Sequence, residues 1–408
     1  MSTLLSWLLA AAHAQPTWIP EAQFRPRFEV DSGRDFTADA GNVAFITHRA
    51  RLGATWASGP VEARLVFQDV RSWGEEGDTR RDFTADGIDL GIGTVTWRPH
   101  DDFAMVFGRQ EVAIHQERLI ARANWRQPGR RFDGLRAGWA HGDWAAEGGA
   151  FLVVDTDRFL FSTQDQVEPA PGGNQTLWFA RAGLEADGAT AQAIAVVDSR
   201  RQTPGAEVLR VTPGLFVQGA SGALSGHVEA YGQVGSIGGG AQSVRAGMAV
   251  VSGRLAPEVG GRPRVGLTYA VLSGDGSPDD EVFTAFDTVY SANHRHYGTQ
   301  DIALFFRGGA STGQGLHDPH VSLGFQPVDI VDVSLDQHVF APTAGERWLA
   351  LEPDLKVKVA LHDTLTLTGG ASLWAELQDP RRPIESFGYV MLDAVLRGPR
   401  QPILFTKP

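Results

Sequence analysis

The sequence predicts an all-β chain: a transmembrane antiparallel β-barrel of about 18 strands, with short periplasmic turns and long outer loops. Three observations carry this. From Phe24 onward, apolar and polar residues alternate with period two through one segment after another. The polar sides of those segments carry arginine and glutamate, which a dry core would not tolerate unpaired. An apolar face against lipid and a charged face against a wet lumen satisfies both. Finally, short and long connections take turns along the chain.

Composition narrows the classes. The chain has 408 residues, 48 glycines, no cysteine and a mean hydropathy of −0.16. Beyond the N-terminus no apolar run reaches the ~18 residues that a helical span requires. A barrel strand needs only about 9–11 alternating residues. A net charge of −12 argues against a general nucleic-acid binder. Of the 36 basic residues only Lys356, Lys358 and Lys407 are lysines. Arginine holds carboxylates bidentately where lysine cannot. Arginine-rich codon usage would produce the same excess, so position has to decide its meaning.

Residues 1–14 read as a signal peptide: Leu4 to Ala12 form the apolar core, and Ala12-His13-Ala14 is the cleavage site before Gln15. The barrel is expected over residues 15–408. The basic n-region is missing, which leaves the start codon open. A buried amphipathic helix is the competing reading of this stretch.

In order, FRPRFEV sets Phe24, Phe28 and Val30 against Arg25, Arg27 and Glu29. ITHRARLGATW sets Ile46, Ala50, Leu52, Ala54 and Trp56 against Thr47, Arg49, Arg51 and Thr55. VEARLVFQ sets Glu62, Arg64 and Gln68 against Val61, Ala63, Leu65 and Phe67. SGHVEAYGQVG, RVGLTYAVL, DLKVKVAL, LTLTGGASLW and GYVMLDAVLRG continue the pattern to the end. Turns are expected at Ser58-Gly59-Pro60, Arg98 to Asp102, His141-Gly142-Asp143, Ala186-Asp187-Gly188 and Leu361 to Thr364. Longer connections run from Ser72 to Gly87, Phe161 to Thr176, Asp198 to Glu207 and Ser273 to Gln300. Trp56, Trp97, Trp139, Trp144, Trp178, Trp374 and Tyr389 would suit interfacial girdles. No blade-length repeat favours a propeller.

The densest charge lies in GRQEVAIHQERLIARANWRQPGRRFDGLR, Gly108 to Arg136. It carries Arg109, Arg118, Arg122, Arg126, Arg130, Arg131 and Arg136, with Glu111, Glu117 and Asp133. Between two strands, this reads as a charged element held at the wall or inside of the barrel.

That segment resembles the signature of the alginate-export family of outer-membrane porins. RPRFEV, FITHRARLGATW and LVFQDVRSWGE are similar to the family's first strands, and LSGDG…FDTVYSANHRHYGTQD (Leu272 to Asp301) to a later loop. The matches span most of the chain and occur in order. The resemblance implies a monomeric eighteen-stranded barrel in the Gram-negative outer membrane, among outer-membrane lipid, with an arginine-lined conduit. The substrate implied is an anionic polysaccharide such as alginate, delivered by periplasmic export partners. By motif, the lumen candidates are Arg25, Arg27, Arg49, Arg51, Arg64, Arg109, Arg118, Arg130, Arg131, Asp133 and Arg136. The chain is short for the best-known members. It is also acidic overall, so any positive field must be local. The expected physics is electrostatic focusing by arginine rows, with Glu29, Glu62, Glu111, Asp133 and Glu147 pairing them so that a polymer is not trapped.

The alternative on the same barrel is a general or small-anion diffusion porin. Catalysis has less support. His317-x-x-His320 could hold a metal, but no HExxH accompanies it and the histidines are expected in loops, so no metal is expected. The acidic stretch Gly274 to Glu281 could take Ca²⁺ but lacks EF-hand spacing. No phosphate loop, nucleophile elbow or cysteine nucleophile appears. No cofactor and no nucleic-acid partner are expected.

Overall fold

The computed structural model describes residues 16–32, 43–74, 88–154, 174–186, 188–201, 207–277, 279–304, 313–378 and 383–396. The predicted signal peptide lies outside them. The strands are β1 (Thr17–Asp31), β2 (Val43–Ser58), β3 (Val61–Ser72), β4 (Asp89–His100), β5 (Phe103–Gln110), β6 (Phe132–His141), β7 (Trp144–Val154), β8 (Asn174–Ala186), β9 (Ala189–Arg201) and β10 (Val208–Ser221). There follow β11 (Leu224–Ile237), β12 (Gln242–Leu255), β13 (Arg264–Leu272), the two-residue β14 (Val282–Phe283), β15 (Leu316–Val328), β16 (Val331–Phe340), β17 (Ala350–His362), β18 (Leu365–Glu376) and β19 (Glu385–Leu396). All 19 join in one sheet; without β14, eighteen long strands remain. Each pairs antiparallel with its neighbours, and β1 pairs with both β2 and β19, closing the barrel. Closure gives every spanning strand a partner on both sides, as a bilayer demands. The strand that closes on β1 is β19, which ends at Leu396.

One rim has tight turns. Gly59, at φ 56°, and Gly222, also at φ 56°, occupy left-handed positions in two-residue connections, where a Cβ would be strained. The opposite rim carries the long connections. The alternation puts Phe24, Leu52, Leu65, Phe107, Leu215 and Leu267 on the outward face, against lipid. Trp97, Trp139 and Trp144 are exposed near the tight-turn rim, as interfacial residues should be, and Trp178 is exposed near the other. Trp374 and Tyr389 depart from the girdle expectation: both point inward and are buried. Trp374 packs with Trp348 and Phe340, and Tyr389 with Trp125.

The interior is not uniformly wet. Two segments leave the long-loop rim and fold into the barrel: residues 111–131, between β5 and β6, and residues 273–304, after β13, which include helix α1 (Asn293–His296). They are joined by backbone hydrogen bonds from Ala121 N to Tyr290 O (3.0 Å), Tyr290 N to Leu119 O (2.9 Å) and Ala292 N to Glu117 O (2.9 Å). Val112, Ile114, Leu119 and Ile120 pack with Phe151, Leu177, Phe179, Ile194 and Val196, which point inward from β7 to β9. Tyr297 and Ile302 pack with Met248, Leu272, Leu316 and Phe340. The rule of apolar outside and polar inside fails along this arc because the inner segments give the wall a dry partner. Burial of this apolar cluster fixes the segments, at about 25 cal/mol per Å² removed from water.

Candidate functional site

Around β1 to β8 the inward face carries a row of paired charges. Arg64 holds Glu21 bidentately, at 2.6 and 2.5 Å. Glu111 bridges Arg131 (2.8 Å) and Arg51 (3.6 Å). Arg109 clamps Asp133 at 2.8 and 2.9 Å, with Asp89 at 3.5 Å. Glu147 lies between Arg181 (2.7 Å) and Arg136 (3.4 Å). Period-two geometry places Glu21, Arg51, Arg64, Arg136, Glu147 and Arg181 inward, and Glu111 and Arg131 reach them from the two ends of residues 111–131. Arg109 and Asp133, paired across β5 and β6, are the exception, on the outward face with Phe107 and Leu135.

Other arginines grip the inner segment rather than the lumen. Arg25 donates to Asn124 O (2.8 Å) and to Gln127 Oε1 (2.9 Å). Arg49, directly opposite Arg25 on β2, donates to Asn124 Oδ1 (3.1 Å) and Gln127 O (3.3 Å). Arg27 donates to Trp125 O (2.6 Å) and Glu29 (2.8 Å), and its guanidinium stacks 3.9 Å from the Trp125 ring. Two like charges facing each other across strands repel; the carbonyls and amides of residues 124–127 offset this. Arg118 is buried against Glu229 (3.4 Å) and over Tyr297 (5.3 Å). Arg130 donates to the carbonyls of Ala121, Tyr290 and Ser291. Burial, then the neighbouring Arg126, brings the Arg130 pKa down to about 10, so it stays charged at neutral pH.

The exposed cations lie elsewhere. Between the two inner segments is a cavity of about 370 Å³, lined by Arg122, Arg126 and Arg295 together with Glu117, Trp125, His294 and Asp301. Arg122, Arg126 and Arg295 are solvent-exposed. Glu117 serves two of them, Arg122 Nη2 at 3.0 Å and Arg295 Nη1 at 3.2 Å. Arg126 has no ion-pair or side-chain hydrogen-bond partner among the described residues. Trp125 forms one wall, stacked at 4.0 Å on His294. A second hollow of about 600 Å³, beside Gln116, Gln218 and His227 near the tight-turn rim, has exposed Arg254 in its lining. A further hollow, among Trp18, Leu52, Leu65 and Phe67, opens on the lipid face.

The structure thus divides the arginines picked out by motif. Arg51, Arg64 and Arg136 stand in the inward wall row, joined there by Arg131. Arg109 and Asp133 depart from the lumen expectation: they pair with each other on the outward face, because they alternate with inward-pointing Gln110 and Phe132. Arg25, Arg27, Arg49, Arg118 and Arg130 are engaged by the inner segments. Sequence reasoning noted Arg122 and Arg126 only as part of the cluster and did not single out Arg295 or Arg254. The missing signal was register between segments more than 160 residues apart, such as Arg130 with Ser291. The histidine pair departs from expectation. His317 and His320 lie on β15, not in a loop, and three residues along a strand point to opposite faces. His317 faces out to Tyr269 (2.7 Å), so the two cannot converge. In the acidic stretch, Asp275 and Asp280 each accept the backbone amide two residues on, at 3.0 and 2.7 Å.

Buried histidines make the inner segments sensitive to acid. His115 stacks on Phe216 at 4.2 Å and meets Gln192 at 2.8 Å. Burial, and then Arg181, brings its pKa down to about 4. Burial and Arg118 likewise depress His296, whose Nε2 meets Gln116 O at 2.5 Å. A histidine depressed in the folded state binds its proton more readily once released. The seating is therefore complete above the free value of about 6.5 and weakens as pH falls toward 4. Lowering the pH from about 7 to about 5 should reduce hydrogen-exchange protection, measured against the unstructured rate at each pH, in residues 111–121 more than in the strands; protection unchanged between the two pH values would contradict this.

The sequence matches the alginate export family model over residues 20–346. The chain belongs to the alginate export family. Among curated proteins none matches. Solved structures share the fold. Acinetobacter baumannii OccAB1 has 12% identity and a TM-score of 0.63, covering 93% of this chain and 96% of that one. Pseudomonas aeruginosa OccK9 (OpdG) has 13% identity and a TM-score of 0.62, with 93% and 98% covered. A BenF-like porin from Pseudomonas fluorescens Pf-5 has 12% identity and a TM-score of 0.59, with the same coverage. This alginate export family barrel is a channel of the Gram-negative outer membrane. Its family and fold are those of porins and export channels rather than enzymes.

Proposed function

We propose that the channel passes an anionic polysaccharide, of which alginate is the model, through the space bordered by the wall row and the inner segments. The carrying observation is the convergence of Arg122, Arg126 and Arg295 on one cavity, with a single carboxylate, Glu117, shared between two of them. A uronate carboxylate can take Arg126, or displace Glu117, by charge-assisted bidentate hydrogen bonds. The paired wall row keeps the remaining path from holding the polymer too tightly. Export partners on the periplasmic side belong to this reading, as does a monomeric barrel. A small-anion channel is the second reading. The cavity favours it by size, being at the low end of small-molecule pockets, roughly 300–1,000 Å³.

The test is planar-bilayer conductance of the refolded full chain. Polymer passage predicts anion selectivity and a block by oligouronates that strengthens with chain length, with none by neutral oligosaccharides of equal length. Removing two of the three exposed cations, in Arg126→Ala with Arg295→Ala, should weaken that block by at least roughly tenfold, since hydrogen bonds to charged groups contribute about 1.5–3 kcal/mol. Anion selectivity with length-independent block would favour the small-anion channel. Cation selectivity, or equal block by both sugars, would sink both.

A further inference from the structure

On the far side of the barrel from the wall row, β15 and β16 carry an inward cluster that transport of anions does not use. We propose that Asp318, His320 and His338 form a binding site for a zinc-class divalent metal ion.

Register places His320 directly opposite His338, and Asp318 precedes His320 by two residues on the same inward face. Both imidazoles aim Nδ1 at the Asp318 carboxylate: His338 at 2.8 Å from one oxygen, His320 at 3.3 Å from the other. The three donor atoms lie within 4.8 Å of one another. In a tetrahedral site with ligand distances of ~2.1 Å, donor atoms stand ~3.4 Å apart, so the arrangement needs only small adjustments. Asp318 is fully buried and His338 almost so, while His320 is partly exposed and leaves an approach from the lumen.

The charge balance is an independent observation. Behind His338 on β17 lie Glu352 and Asp354, both more than nine-tenths buried. Glu352 Oε2 and Asp354 Oδ1 have no hydrogen-bond partner. Among the described residues no arginine or lysine forms an ion pair with Asp318, Glu352 or Asp354. Three buried carboxylates thus surround two imidazoles. Fully ionised, such a group is costly away from water; it has to take up protons or hold a cation, and a divalent metal would supply the second.

The donor set selects the metal. Two imidazole nitrogens and one carboxylate oxygen suit zinc and its neighbours rather than calcium or magnesium, which favour all-oxygen ligation. Asp354 Oδ2 stands 3.9 Å from His338 Nε2, too far for a hydrogen bond here but on the side from which a carboxylate would steady the ring once Nδ1 held a metal. To bind, each imidazole offers its Nδ1 lone pair: a neutral ring then carries its proton on Nε2, and only a ring that is protonated beforehand releases a proton to solvent.

The test uses the refolded full chain in detergent, stripped with a chelator, loaded with Zn²⁺ or Co²⁺ and desalted. One tightly held metal per chain is expected by elemental analysis, with visible Co²⁺ bands typical of low coordination number. His320→Ala should abolish retention. His320 is the most exposed of the three ligands, so this variant is the least disruptive to folding. Asp354→Asn should weaken binding by roughly 10–100-fold. His317→Ala, on the outward face, should bind as before. No retained metal in the parent chain, or undiminished retention in His320→Ala, would overturn the proposal.

Discussion

Arg118→Ala should release the inner segments of the barrel. The guanidinium is buried, 3.4 Å from a Glu229 carboxylate that is itself fully buried. Removing one partner of such a pair leaves a charge without compensation and costs roughly 3–5 kcal/mol. Glu229 keeps one hydrogen bond, from Tyr231 Oη at 2.7 Å, which does not neutralise it. Arg118 also lies over the ring of Tyr297, in the other inner segment, so the loss loosens both. The strand ladders are untouched. The barrel should therefore still form, while residues 111–131 exchange amide hydrogens faster and become accessible to protease. Arg118→Met combined with Glu229→Gln removes both charges and should recover most of the protection. Unchanged protection in the single variant would show that the apolar packing alone seats the segments.

Arg25→Ala with Arg49→Ala should widen the channel. These side chains hold Asn124 and Gln127 by four hydrogen bonds of 2.8, 2.9, 3.1 and 3.3 Å. They also face each other across β1 and β2, so the wall bears their repulsion. Removing both should raise single-channel conductance severalfold and reduce selectivity. Barrel stability in denaturant should stay level or rise. That opposite movement separates a gripping role from a structural one: a fall in stability with unchanged conductance would refute the grip.

The barrel was legible because alternation is a local property. In FRPRFEV and VEARLVFQ each residue's face follows from its neighbour's, and lipid outside with charge inside is the one arrangement that suits both faces. The strand number and the asymmetry of the connections followed from the same reading. The family resemblance agreed with it and gave the outer membrane. The site was legible only in part. The charge density of Gly108 to Arg136 marked the segment that enters the barrel. It could not tell which arginines would be absorbed by carbonyls, as Arg25 is by Asn124, and which, like Arg126, would stay free. Those outcomes depend on contacts across about a hundred residues or more. Trp374 misled for a related reason: a tryptophan near a strand end suits a membrane interface, and only the dry partner inside draws it inward. The Asp318 cluster was hidden because its members come from two strands, whereas the spacing rule for metals had drawn attention to His317 and His320 within one.

The seam between the first and last strands sets an order on assembly. Ala22 lies opposite Leu396, so this pairing joins parts of the chain almost as distant as its length allows. A nascent or truncated product that lacks β19 has two open edges and nowhere to place the apolar outer faces of either. Such long-range closure is slow to form, and unpaired edges invite association with other chains. The barrel can therefore close only once its final strand is in place, and until then both edges and the apolar outer faces stay open to wrong pairing.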